Sequence, residues 1–181
     1  MADPDLLSSF TLEPAVVARQ WEDGNIERRM ESHFLDFVIA GRSLRDLVGD
    51  SADMVTPLCR PWIHAVPDEV ACLLGQQAVE GLRPDRVALL LCQVDGDLGC
   101  GALTAGLDIG ARQVSWSDWL WESFQEPMPV PQLTTPLIFD RGQYETALQA
   151  ANERVSGMPY DHLAHRGRKF LWPWQWGWRL P

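Results

Sequence analysis

The side chains best able to do chemistry concentrate in "CQVDGDLGCG", where Cys92, Asp95, Asp97 and Cys100 fall within one Gly-rich stretch. Zinc takes four donors in a tetrahedral array, and two of them usually come from a close pair such as C-x-x-C. Cys92 and Cys100, with seven residues between them, are too far apart for that, although the spacing suits two thiols facing each other across a hairpin. A calcium loop starting at Asp95 needs a bidentate glutamate at its twelfth position, and Gly106 stands there. In "DHLAH", His162 and His165 lie one helical turn apart, close enough to share a metal ion or a proton, with Asp161 as the nearest further donor. Neither set is complete. No metal or other cofactor is assigned, and Gly96, Gly99 and Gly101 are read as turn formers above packed cysteines.

"GDSAD", around Ser51, resembles the nucleophile block of GDSL-type esterases, in which a base histidine follows an aspartate by three residues. Here His165 follows Asp161 by four, and the oxyanion-hole G-x-N-D is missing. The sequence also lacks G-x-S-x-G, a P-loop and G-x-G-x-x-G. No catalytic residue is assigned, and whether the chain is an enzyme stays open.

Tryptophan is the stronger anomaly, with nine in 181 residues. Trp116, Trp119 and Trp121 stand close together. Trp172, Trp174, Trp176 and Trp178 occupy every second position of "WPWQWGW", so in an extended chain all four point one way. Tryptophan suits binding surfaces because one rigid ring buries much area and still donates a hydrogen bond. These seven are the candidate binding residues. The competing expectation is that the terminal stripe closes the protein's own core as an edge strand or arm, and self-association through it is a further possibility.

The net charge is -10. Residues 161–181 carry Arg166, Arg168, Lys169 and Arg179 against Asp161, a local +3, which leaves -13 for residues 1–160. So acidic a body repels phosphate backbones, which excludes nucleic acid as the expected ligand and favours a basic protein partner. No apolar run approaches the ~20 residues of a membrane span, and the acidic start resembles neither a secretory signal nor a transit peptide, so a cytoplasmic location is expected, with the cysteines as thiols. Lys169 is the one lysine among fifteen cations, an arginine bias that points to a GC-rich bacterial genome.

The elements that must position these residues read as one α+β domain. Residues 1–25 show no clear period and are expected to be poorly regular; 26–160 form the domain; 161–181 are a Trp-rich basic arm packed on it. "FLDFVIA" reads as a strand, Ser43 as the cap of a short helix through Val48, and Asp68 as the cap of a helix over 69–81. "VALLLCQV", "ALTAGLDI" and "RQVSWSDWLWESF" read as an antiparallel meander. In its third strand Val114, Trp116 and Leu120 share one face, and Ser115, Ser117, Trp119 and Trp121 the other. The prolines of 125–136 make a connector, "LIF" a short strand, and Asp140 caps a helix whose buried face holds Tyr144, Ala147, Leu148, Ala151 and Val155.

"VALLLCQVDGDLGCGALTAGLDIGARQVSWSDWLWE" followed by "FDRGQYETAL" resembles a widespread group of uncharacterised actinobacterial proteins. Their pattern is an apolar strand, a G-D-x-G-C-G turn, V-x-W-x-D, and F-D-R-x-Q-Y before a helix. In several of them the turn begins C-x-x-C, where this chain has Cys92 and then Asp95. The resemblance implies a fold and a bacterial source, and no reaction.

The function expected is therefore a non-enzymatic cytoplasmic binding protein, of immunity or antitoxin type, for a basic partner. The alternatives are a metal-dependent enzyme around the 92–101 turn, with Asp118 or the histidines, and a small-molecule binder on the Trp119 and Trp121 face.

Overall fold

The computed structural model describes residues 7–23, 26–49, 51, 53–94, 96–123 and 125–161. The α+β class holds. The chain opens with two fourteen-residue strands, β1 (Phe10–Asp23) and β2 (Ile26–Ile39), paired antiparallel from Phe10 opposite Ile39 to Asp23 opposite Ile26. This corrects the expectation that residues 1–25 are poorly regular. The strand escapes a period-two reading because its buried face changes along its length. Phe10 and Leu12 point into the main core with Leu35, Phe37 and Ile39 of β2. Beyond Pro14 it is Ala15 and Val17 that pack, on the opposite face, with Phe34, Val55 and Cys59. Alternation is intact within each half and reverses phase between them. Pro14 is tolerated because β1 is an edge strand, where a missing donor interrupts no ladder on the outer side.

Ala40 and Gly41, both with positive φ (49° and 78°), make the two-residue turn into β3 (Arg42–Ser43), which suits the twist of a tight hairpin. Ser43 then caps α1 (Leu44–Val48) as expected: its Oγ accepts from the Arg45 N–H at 3.1 Å and donates to Asp36 Oδ2 at 2.5 Å.

The second sheet runs in the order β4 (Met54–Val55), β5 (Arg86–Cys92), β6 (Ala102–Ile109), β7 (Gln113–Glu122) and β8 (Met128–Pro129), with β9 (Leu137–Asp140) on the other half of the β7 edge. All its pairings are antiparallel, so the expected meander is present and β5, buried over most of its length, is internal.

α2 (Val66–Leu73) corrects the helix expected over 69–81. It begins earlier, with Pro67 in its first turn, and stops at Leu73 because Gly75 takes φ +66°. There the Gly75 N–H reaches the Cys72 carbonyl and the Gln76 N–H the Ala71 carbonyl, both at 2.9 Å, the paired bonds of a Schellman cap. Asp140 caps α3 (Arg141–Gln149) with its carboxylate on the Gln143 N–H at 2.8 Å, and α4 (Ala151–Ser156) continues it after Ala150. Tyr144, Leu148, Ala151 and Val155 are fully buried, as their spacing predicts, and Ala147 is half-buried.

The main core lies between the two sheets and α2, α3 and α4. Its centre is a set of rings: Trp116 meets Phe10, Phe37, Phe139 and Tyr144 with centroids 5.0–5.9 Å apart, all four edge-to-face. Tyr144 donates to the Leu73 carbonyl at 2.9 Å, and burial pushes its phenol far above the ordinary range. Among the described residues no helix is long and apolar enough to cross a membrane.

Candidate functional site

The tryptophans of β7 are held inward by a bulge. Pairing of β6 with β7 passes from Gly106 opposite Ser117 to Thr104 opposite Leu120, so β7 carries one residue more than β6 between those points. Asp118 absorbs it with φ +50°, a left-handed conformation that aspartate adopts more readily than most residues. The phase of the strand therefore reverses at Asp118, and Trp119 joins Val114 and Trp116 on the core side instead of sharing a face with Ser115 and Ser117. Trp116 and Trp119 are both buried, their rings 6.2 Å apart, and Trp121 is half-buried against the same core. Of the three candidate binding residues here, Trp121 alone keeps appreciable surface. Trp172, Trp174, Trp176 and Trp178 lie outside the described residues.

The same bulge builds a buried ionic cluster on the other face of the sheet. Arg86, whose side chain is 1% exposed, sends Nη1 to Asp118 Oδ2 at 2.7 Å and Nε to Glu122 Oε1 at 3.0 Å. Its Nη2 reaches Thr104 Oγ1 at 2.7 Å and the Asp118 carbonyl at 2.8 Å. Thr104 in turn donates to Glu122 Oε1 at 2.8 Å, and Arg83 meets Asp118 from outside at 2.9 Å. These groups satisfy one another, which makes the cluster a structural clamp across β5, β6 and β7.

The 92–101 turn divides its candidates. Cys92 is half-buried, Cys100 is exposed and Asp97 caps a short 3₁₀ turn (Leu98–Cys100) through the Gly99 N–H at 2.8 Å. Gly101, at φ +130°, closes that turn. Asp95, His162 and His165 lie outside the described residues. Among the described residues no three His, Cys, Asp or Glu side chains come together as a metal site. Ser51, the nucleophile of the esterase comparison, is buried and donates to the Arg45 carbonyl at 2.9 Å.

One cleft was missed in the sequence. A cleft of about 360 Å³ opens over the C-terminal end of β5, walled by Pro57, Pro61, Trp62, Leu91 and Gly96, with His64 and Glu69 as its ionisable residues. A second 3₁₀ turn, Arg60–Trp62, carries the indole to this position. Gly96 is required twice over: its φ is +66°, and a Cβ there would stand 2.9 Å from Trp62 Cζ2, so bare backbone packs on the ring. Thus the Gly-rich turn does meet a tryptophan, and it is Trp62 rather than those of β7. Burial pushes the Glu69 carboxyl above its ordinary value, and the charge of Asp68 adds to the rise. Burial also raises the Cys72 thiol, with Glu69 and Asp68 contributing, so this cysteine is a poor nucleophile at neutral pH. The one signal available beforehand was "PWIHAVPDE", a tryptophan and a histidine between prolines with two acids following, a composition that looks like plain loop.

No protein-family model, curated protein or solved structure matches the chain.

Proposed function

We propose that this is a cytoplasmic, non-enzymatic binding protein whose acidic surface docks a basic protein, in the manner of an immunity or antitoxin partner. One observation carries the reading. Among the described residues, exposed carboxylates spread along the chain, Glu13, Asp46, Asp68, Glu80, Asp108 and Glu126 among them, outnumber exposed arginines by more than two to one. A potential of one sign over most of a surface accelerates encounter with the opposite charge and rejects like charge. Much of the charge has no structural duty, in contrast to the Arg86 cluster, where acids and cation satisfy one another. The resemblance to actinobacterial proteins is kept as part of the proposal and adds a source, not an activity.

The test is recovery of a partner on immobilised full-length protein from extracts of the cell that makes it, followed by reconstitution from purified components. A partner of high isoelectric point that rebinds when purified supports the proposal. Recovery of none, or of acidic proteins only, refutes it.

A further inference from the structure

We infer that the Trp62 cleft is the anchor of this interface, taking one arginine or lysine side chain of the partner with its cationic head between the Trp62 indole and the Glu69 carboxylate. The inference rests on the reading of the protein as a binder of a basic partner, and it assigns that partner's chemistry at one point.

Three features of the cleft converge. Its walls are apolar: Pro57, Pro61 and Leu91 can line the aliphatic stem of a long side chain, and Trp62 offers the aromatic ring that a guanidinium or ammonium seeks. Its charge is negative and uncompensated. The Glu69 side chain sits half-buried with no hydrogen bond or ion pair from its carboxylate to any described residue, and Asp68 stands beside it. Arg60, next in sequence to Pro61 of the cleft wall, is committed elsewhere: it donates Nε to the Met158 carbonyl at 3.2 Å and places its guanidinium 5.2 Å from the Tyr160 ring centroid. A carboxylate driven into a partly dry cleft without a cation is held at a disadvantage that an incoming cation removes. The volume, about 360 Å³, lies in the range of small-ligand clefts and exceeds what one side chain fills, which leaves room for bridging water. An anionic or purely apolar occupant would leave the half-buried Glu69 carboxylate unpaired, and a neutral donor would leave its charge uncompensated.

The probe is a blocked hexapeptide alternating alanine and arginine, titrated into the full chain at low salt, against the same peptide with citrulline in place of arginine. Affinity is read by calorimetry and the site by the indole N–H resonance of Trp62, identified through Trp62→Phe. The arginine peptide should bind and shift that resonance, and the citrulline peptide should do neither. Glu69→Gln, nearly isosteric and checked for folding by circular dichroism, should weaken binding at least tenfold, and Trp62→Phe several-fold. Asp108→Asn, at the far end of β6 from the cleft, should change it less than twofold. Equal affinity in Glu69→Gln and Asp108→Asn would overturn the anchor while leaving the basic-partner proposal standing, because the peptide would then be held by general surface charge. Absence of any binding would count against both. A Trp62 resonance that shifts when Arg166, Arg168, Lys169 and Arg179 are replaced by glutamine, without peptide, would make the chain's own C-terminal segment the occupant and would also overturn the assignment.

Discussion

Replacing Arg86 by methionine is expected to destabilise the fold by about 3 kcal/mol, the lower end of the ~3–5 kcal/mol typical when one partner of a buried ion pair is removed. The lower end follows from how the two acids are placed. Asp118 is 60% exposed and keeps Arg83 at 2.9 Å, so it loses little when Arg86 goes. Glu122 is 19% exposed and is left with the Thr104 hydroxyl alone, so the penalty falls on this carboxylate. Urea unfolding followed by far-ultraviolet circular dichroism measures it. With a denaturant slope of about 2 kcal/mol/M, the midpoint should fall by about 1.5 M. Arg86→Met with Glu122→Leu should recover most of the loss, since a well-packed apolar pair replaces an ion pair nearly neutrally. Arg86→Lys should not recover it, because one ammonium cannot serve Asp118, Glu122 and Thr104 together. A loss below about 1 kcal/mol for Arg86→Met, or a double variant as weak as the single, would refute the assignment of Arg86 as a clamp whose removal orphans Glu122.

Other substitutions test the remaining parts. Trp116→Ala, at a residue with no exposed surface among five other rings, should cost about 3–5 kcal/mol in the same assay, and a cost under 1 kcal/mol would contradict its place in the core. Gly96→Ala should cost about 1–2 kcal/mol from its left-handed backbone and displace the Trp62 ring, seen as a change in the Trp62 indole resonance; an unchanged resonance and midpoint would disprove the contact. Burial holds the Asp36 carboxyl above its ordinary value, against the opposing Ser43 hydrogen bond and Arg45 charge. Its folded-state value therefore exceeds the unfolded one, and it favours folding most at acid pH, with that contribution lost as pH rises through the raised value. Wild type should accordingly gain stability on Asp36→Asn as pH falls from neutrality toward the carboxylate range, and a pH-independent difference would refute this. Protein purified without chelator should carry no stoichiometric zinc, iron or manganese by elemental analysis, and one equivalent of any would revive the metal-dependent alternative.

Where local chemistry and packing agreed, the elements could be read directly. Ser43 and Asp140 cap their helices, the meander joins three strands, and Tyr144, Leu148, Ala151 and Val155 line a buried face, because each depends on residues within a few positions of one another. What was hidden depends on partners far along the chain. β1 lacks a single period because Phe10 and Val17 face different cores, a fact set by β2 and by Cys59. Trp119 could not be placed from alternation because the bulge at Asp118 is fixed by Arg86, thirty-two residues away. The cleft was hidden for the same reason: Pro57, Trp62, Glu69, Leu91 and Gly96 meet only after β5 and α2 are in place.

The central claim is that charge directs this protein to a basic partner. The measurement that meets it most directly is the dissociation constant of the reconstituted complex across a salt series. Surface charges are screened over about 10 Å at 0.1 M salt and about 3 Å at 1 M, so affinity and association rate should both fall steeply as salt rises, and fall further in Glu69→Gln. An affinity indifferent to salt, or a partner as acidic as the protein itself, would contradict the account.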